Sequence, residues 1–459
     1  LIDKVFVNSK YDKEILNSIF NSYNKTANII YSEKIGIYLI ILNNLVKSLY
    51  FLLVNVFLSI ILGLKDFKRP SGSIIYIDTF MSVSSITDCS IFNERYYRGL
   101  EDTIDSLKLN KLWYAPVPVG FDSISDFYTI YKFIRKSDSN ILHQNNYLKP
   151  YDYLKALYLS FKLIGNVNTY PRWLGHDISS LINREIKTEL FSTQLFIAVL
   201  RYFFIKRIAE SGVKIDIVIN WNENQVIDRA LCLGIRDYYP GVKIKGYQGL
   251  TPSKYYASLE PTCFEVKSKT VPDVILAIGS AFVEYKKINC KDVNVGIAPA
   301  YRFSHLHEIN RKISFNNNVI FVALPYYMDE CIRILYICLS IVNTLEPNYK
   351  VKIKLHPDHV EGLFNKNLPH NLTNQFSFTT LTISELLATA SYLFSSASST
   401  CMEAAVLGIP VAIMGNLSGP TQNPLVDLID ADKWSIIYSS EDFIYFIDSM
   451  IIMEPLDIS

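Results

Sequence analysis

Apolar positions follow two regimes along the chain. Between Ile35 and Leu64 they crowd together, and the 17 residues from Ser48 to Leu64 carry no charge. That run is slightly short of the roughly 20 apolar residues of a membrane-spanning helix. The polar residues Asn44, Ser48, Asn55 and Ser59 fall on one narrow stripe at a period of 3.6. Lys65, Lys68 and Arg69 follow, and Pro70 ends the pattern. The segment reads as one helix with three possible destinations: a membrane interface, a buried or partner-covered position, or a span.

From Ser73 the regime changes to short apolar runs separated by helical stretches. Ile74 to Asp78, Leu112 to Val117, Ile215 to Asn220, Val242 to Tyr247 and Val274 to Ile278 read as strands. Tyr151 to Leu163, Thr193 to Ser211 and Val226 to Asp237 read as helices. Gly296-Ile297-Ala298-Pro299-Ala300 reads as a linker. A second run then starts with a strand at Val319 to Leu324, a helix at Met328 to Leu345 and a strand at Val351 to Leu355. Thr382 with Glu385 makes a capping box for a short helix. Strands alternating with helices predict mostly parallel sheets. The expected fold class is α/β, with two Rossmann-like domains facing a cleft. The expected organisation is residues 1–70 as an apolar, membrane-associated segment, 71–298 as an acceptor-side domain and 299–459 as a nucleotide-binding domain.

Length and composition agree with this division. A chain of 459 residues with 49% apolar content exceeds the usual size of one domain and can bury two cores. The net charge of +1 gives no global case for nucleic acid. Seven cysteines are scattered without a Cys-x-x-Cys pair, which fits reduced cysteines in a cytosol better than a disulfide frame or zinc ribbon. The chain begins at Leu1 rather than Met, and no signal peptide is legible in it.

The chemistry concentrates between Lys354 and Pro410. His356-Pro357 follows a strand directly, and the proline holds the histidine extended beyond the strand end. Such a histidine can donate to a phosphate oxygen and stabilise the charge of a leaving nucleotide. Ser395, Ser396, Ser398, Ser399 and Thr400 then form a loop that opens a helix. Small hydroxyl side chains and a helix N-terminus together suit a phosphate. Thr400 and Glu403 also make a Thr-x-x-Glu capping box, and Glu403 can alternatively bind ribose hydroxyls.

In the first half, Asn220-Trp221-Asn222-Glu223-Asn224-Gln225 follows a strand. It reads either as a site wall with Glu223 as general base or as a cap cluster for the next helix. Gly246-Tyr247-Gln248-Gly249 sits after the following strand, so Asn222, Tyr247 and Gln248 are candidate cleft residues. Asp78, at a strand end, and Glu94 are further carboxylates. His305-x-His307 and His356-x-x-His359 lack carboxylates at metal-ligand spacing, and Asp430-Ala431-Asp432 reads as a turn, so no metal or other cofactor is expected. The absence of Gly-x-x-x-x-Gly-Lys-Ser/Thr and Gly-x-Gly-x-x-Gly patterns argues against P-loop ATPases and simple dehydrogenases.

The serine loop, the Glu403-Ala404 pair and Gly408-Ile409-Pro410 resemble the C-terminal domain of GT-B glycosyltransferases. His356-Pro357 with the serine loop is similar to the HP and SS motifs of bacterial sialyltransferases and Kdo transferases. The resemblance implies a CMP-linked donor and inversion at the anomeric carbon. It implies that His356 and Pro357 contact the donor phosphate, that Ser398 and Ser399 hold it, that Glu403 takes the ribose or base, and that Glu223 or Asp78 is the base. Those families carry a paired-carboxylate–Gly motif, and this sequence has no such triplet. The expected partners are a nucleotide-sugar donor, a glycan or lipid-linked glycan acceptor and the inner face of the plasma membrane, reached from the cytoplasm through residues 35–69. No nucleic acid is expected. A CDP-polyol phosphotransferase, a sugar-nucleotide epimerase and a non-catalytic scaffold of a polysaccharide assembly complex are the alternatives.

Overall fold

The computed structural model of the chain describes residues 4–7, 28–31, 36–63, 67–87, 90–100, 112–120, 123–137, 139–165, 170–173, 175–251, 256–309, 318–342, 349–356, 359, 376–417 and 420–449. The first sheet contains β1 (Ser73–Met81), β2 (Leu112–Pro118), β3 (Lys214–Trp221), β4 (Lys243–Gln248), β5 (Val274–Ala277) and β6 (Val295–Ile297). Its spatial order is β6-β5-β4-β3-β1-β2, parallel throughout. The second contains β7 (Val319–Ala323), β8 (Lys350–Lys354), β9 (Phe376–Phe378), β10 (Tyr392–Ser395), β11 (Val411–Met414) and β12 (Trp434–Ile437). Its order is β9-β8-β7-β10-β11-β12, again parallel. β10 and β11 are buried at every position, as strands covered on both faces by helices must be. Two parallel-sheet α/β domains are the expected fold class and fit the GT-B architecture.

Strand order locates the places where a ligand can enter. In each sheet the order reverses once, between β1 and β3 in the first and between β7 and β10 in the second. Connections leave such a point in opposite directions, so a crevice opens at the carboxyl ends of the two strands.

Helices α1 (Ile37–Gly63), α2 (Ile124–Lys136), α3 (Pro150–Gly165), α4 (Ser179–Thr188), α5 (Thr193–Glu210) and α6 (Val226–Tyr238) belong with the first sheet. Helices α7 (Met328–Val342), α8 (Ile383–Thr389), α9 (Ser399–Val406) and α10 (Ser440–Ser449) belong with the second. One core joins Tyr76, Phe196, Leu200, Phe204 and Val218, and another joins Val322, Ile334, Val351, Phe394 and Ala412. The Thr382–Glu385 capping box is formed, with both reciprocal hydrogen bonds.

Helix α1 is apolar enough by length and composition to cross a membrane over Ile37–Ile61. It nevertheless packs lengthwise on α3, α4 and α5 through its polar stripe. The Asn44 side-chain amide donates to the Thr188 carbonyl at 2.8 Å and Ser48 Oγ to the Phe191 carbonyl at 2.7 Å. Further along, Asn145 donates to Asn55 Oδ1 at 3.1 Å, and Ser59 Oγ donates to the Leu148 carbonyl. Ser48, Asn55 and Ser59 are buried.

Two readings of the sequence are corrected. Residues Gly296 and Ile297 do not act as linker: Val295–Ile297 is the edge strand beside β5. Cys263 and Cys290 form a disulfide, although no Cys-x-x-Cys spacing announced it. Cys232, Cys331, Cys338 and Cys401 are free and buried, as expected of structural cysteines.

Candidate functional site

At the first sheet's reversal, the ends of β1 and β3 bring together a buried polar network. Asp78 pairs with Arg201 of α5, and its second oxygen accepts from the Asn220 side chain at 2.7 Å. The same Asn220 amide donates to Asp228 Oδ1 at 3.1 Å. Asn222 donates to Asn220, and Gln248 donates to Asn222 and to the Leu259 carbonyl. Burial raises the Asp78 carboxyl, opposed by Arg201. Burial, with Asp78 nearby, raises Asp228 to about 7. A general base needs an open lone pair within reach of the acceptor. Asp78 is 6% exposed with both oxygens engaged, so in this structure it is bonded internally and turns no free oxygen to the cleft. Asn222, Tyr247 and Gln248 are also buried, behind the surface rather than lining it. The Tyr247 hydroxyl donates to the Pro299 carbonyl and accepts from Tyr301 N–H, tying β4 to the segment that leaves the sheet.

Glu223 lies beyond the end of β3 and is half-buried. Trp221 Nε1 donates to its Oε1 at 2.7 Å and Gln225 Nε2 to its Oε2 at 2.8 Å, one donor per oxygen. The Trp221 ring is fixed by Tyr96, 4.4 Å between centroids, and edge-on by Tyr97 and Tyr247. Glu94 is more heavily used. It accepts from Thr79 Oγ1 and from the backbone N–H groups of Tyr96 and Tyr97, while burial raises its carboxyl. The capping reading of the 220–225 segment is realised too, by Asp228: its Oδ2 accepts from Glu223 and Gln225 N–H at 3.0 and 2.9 Å. Beside this end of the sheet lies a cavity of about 630 Å³ lined by Phe80, Val117, Val119, Gln225, Val226 and Tyr256.

At the second sheet's reversal, the serine loop leaves β10 and enters α9. Its hydroxyls divide by role. Ser395 is buried and donates to the Ala323 carbonyl on β7, while Ser396 is buried at the strand end. Ser398 is the cap of α9, accepting from Thr400 N–H at 3.3 Å, and Thr400 is buried against it. Ser399, the first residue of α9, is half-exposed. The expected Thr400–Glu403 capping box does not form, because the helix starts earlier, at Ser399. Glu403 instead meets His305 from the segment joining the sheets, Nε2 to Oε2 at 2.9 Å. His356 stands past β8, with β7 between it and the loop, so two strand spacings of roughly 10 Å separate the two motifs. Tyr326, past β7, packs edge-on to His356 at 5.5 Å and stacks on His359. Pro357 lies outside the described residues.

The two halves meet around a cavity of about 310 Å³. Thr251, Ile278, Phe282 and Ala300 line one side, and Met402, Glu403 and Val406 of α9 line the other. Among the described residues, one group has metal-ligand spacing, Cys263, Cys290 and Asp292. With the sulfurs joined, it offers an ion only the carboxylate. Asp430 and Asp432 fall at a short 3₁₀ turn, where Asp430 pairs with Lys433.

Arg201 and Asp228 escaped the sequence reading, which met His305 only as a rejected metal ligand and not as the partner of Glu403. Arg201 carried a usable signal: a lone cation between Leu200 and Phe203 in an apolar helix needs an internal partner. Asp228 carried the spacing of a helix cap, three residues after Gln225, whereas its bond to Asn220 and the His305–Glu403 pair carried no local signal because those partners come from other elements.

No protein-family model and no curated protein matches the chain. Among solved structures, it is similar to UDP-GlcNAc 2-epimerase from Neisseria meningitidis bound to UDP-GlcNAc, at 13% identity over 83% of this chain and 95% of that one, with a TM-score of 0.47. It is similar to the glycotransferase of kitacinnamycin at 11% identity over 81% and 89%, with a TM-score of 0.42. Against the GtfA/B complex it is 12% identical with a TM-score of 0.38, over 55% of this chain and about half, 53%, of that one. At these values the likeness gives no residue a role and fixes no substrate.

Proposed function

We propose that the protein is an inverting glycosyltransferase that moves a sugar from a nucleotide-activated donor to a lipid-linked or growing bacterial surface glycan. The observation that carries this reading is the pairing of two reversal points in one chain. One ends in a capped, hydroxyl-rich loop at a helix N-terminus, and the other in the half-buried Glu223 carboxylate, whose hydrogen-bond partner Gln225 lines a 630 Å³ cavity. In this reading Glu223 takes the proton of the acceptor hydroxyl. The oxygen attacks the anomeric carbon from the face opposite the donor phosphate, and the phosphate leaves with the bonding electrons. His356, the Ser398–Ser399 backbone and the α9 N-terminus stabilise that charge. No metal is used. The His356-Pro357 and serine motifs support a CMP-linked donor such as a sialic-type acid or Kdo. Residues 35–69 hold the protein at the cytoplasmic face of the membrane, where a lipid-linked acceptor is presented.

The test is thermal stability of the purified chain against CMP, CDP, UDP, GDP and dTDP, followed by donor turnover. A ligand at 100 times its Kd adds about 2.7 kcal/mol. A CMP shift that His356→Ala removes, and loss of turnover in His356→Ala and Ser399→Ala with the melt of the free protein unchanged, are expected. Turnover retained in both variants overturns the roles assigned. A shift with CDP or UDP alone overturns the donor. No shift with any nucleotide overturns the enzyme reading in favour of a scaffold.

A further inference from the structure

Helix α1 turns its polar side to the protein and its apolar side to solvent. Leu39, Leu42, Val46, Leu49, Leu53, Phe57 and Ile60 repeat at three- and four-residue steps and are 40–65% exposed. The polar stripe opposite them is hydrogen-bonded inward. A free helix in water would be oriented the other way round, because the apolar stripe normally faces the core. The inversion extends to both neighbours. On α3, Tyr151, Leu154, Tyr158 and Phe161 form a second exposed stripe with the same steps, and α3 packs beside α1. On the other side, α2 exposes Ile124 and Tyr128 across an apolar groove that it shares with α1.

The charges on these three helices are unbalanced, although the chain as a whole is near neutral. Lys47, Lys132, Arg135, Lys136, Lys155 and Lys162 are basic, against two acids, Asp126 and Asp152. Both acids are engaged locally. Asp152 is buried and paired with Arg207, and Asp126 completes the capping box of α2. Three of the cations lie over tyrosine rings: Lys132 over Tyr128 at 4.5 Å, Arg135 over Tyr131 at 5.3 Å and Lys162 over Tyr158 at 6.0 Å. Cations beside amphipathic aromatic rings, bordering an apolar face, suit the headgroup layer of a bilayer, where the ring sits at the boundary and the amine reaches the phosphates. A second copy of this face would bring like charges together, which disfavours a symmetric dimer.

We infer that α1, α2 and α3 form a single docking face for an anionic lipid bilayer. The helices lie in the interface, with the apolar stripes in the acyl boundary and the basic residues at the headgroups. This extends the membrane part of the function proposed above, from one segment to a three-helix face with a stated lipid charge.

The experiment is flotation of the full chain with vesicles of phosphatidylcholine alone or mixed with phosphatidylglycerol. Binding to the anionic vesicles that weakens with salt is expected. The exposed double substitution Leu53→Glu with Phe57→Glu is expected to abolish it. Each basic side chain near an anionic surface contributes about fivefold in partition, so Lys132→Ala, Arg135→Ala and Lys162→Ala together should weaken binding roughly 100-fold on anionic vesicles and little on neutral ones. The free protein's melt, measured on every variant, confirms that the fold is kept. Wild-type protein that ignores both vesicles overturns the inference, as does a double variant that binds like wild type. A dimer dispersed by the double substitution also overturns it and gives the face to a second copy. The nucleotide shift, read without lipid on the same proteins, keeps the two proposals separate. Vesicle binding without any nucleotide shift removes the transferase and leaves the face standing, whereas a nucleotide shift without vesicle binding does the reverse.

Discussion

Asp78 is the residue whose substitution most sharply separates an internal role from a catalytic one. Its carboxylate is buried with the Arg201 guanidinium against one oxygen and the Asn220 amide against the other. Asp78→Asn leaves Arg201 buried without its counter-charge, and the remaining bond from Arg201 to the Ala115 carbonyl, 3.0 Å, does not neutralise it. Breaking a buried pair from one side costs about 3–5 kcal/mol. For a domain of about 200 residues, each kcal/mol moves the midpoint by about 2–4 °C, so a fall of roughly 6–20 °C is expected. Removing both charges should recover much of that loss, because an uncharged replacement of a buried pair is often close to neutral. The pair Asp78→Asn with Arg201→Met is therefore expected to melt well above Asp78→Asn alone. The assay is a melt followed by circular dichroism on wild type, both single variants and the double variant, with donor turnover measured below every midpoint. An unchanged midpoint in Asp78→Asn together with lost turnover would refute the reasoning and return Asp78 to the role of base.

Gly249→Ala should destabilise by about 1–3 kcal/mol. A Cβ there would lie 2.4 Å from the Trp221 ring and 2.5 Å from the Tyr247 ring, so a melt unchanged within error would show that the aromatic cluster yields. The displaced Trp221 would also release Glu223, so turnover should fall more than stability explains. Asp228 gives a pH dependence. Its folded pKa, about 7, lies above the unfolded value of about 3.9, so the folded state binds the extra proton. Its contribution to stability is fully present below about pH 3.9 and is lost as pH rises through about 7, a change of about 4 kcal/mol. Urea midpoints measured from pH 4 to 8 should carry this downward component in wild type and lack it in Asp228→Asn, and identical profiles would count against it.

How much of this was legible beforehand follows from the range of each interaction. The central strands were legible because a parallel strand covered on two faces needs a continuous apolar run, as in Val319–Ala323, whereas the edge strands Val295–Ile297, Phe376–Phe378 and Trp434–Ile437 are too short and too little covered to carry one. The Thr382–Glu385 cap was legible because its partners are three residues apart. The polar stripe of α1 was legible as a stripe, but a period of 3.6 does not say which side faces the protein. Its direction is set by carbonyls at Leu148, Thr188 and Phe191, about 90 to 145 residues away in the chain.

Glu403 shows where local rules give way. Its spacing from Thr400 satisfies a capping box, yet the box is absent and the carboxylate meets His305, 98 residues earlier. Ser398 explains the choice. It already caps α9, so the N-terminal amides have an acceptor and Glu403 is left for a tertiary partner. The serine loop is therefore not simply a surplus of hydroxyls awaiting a phosphate. Ser395 braces β10 to β7, Ser398 starts the helix, and Thr400 packs inside. Ser399 stands half-exposed at the first turn, where a helix presents its positive end. A functional reading of this loop thus rests on Ser399 and the backbone around it, and Ser399→Ala is a more telling substitution than any change at the buried positions.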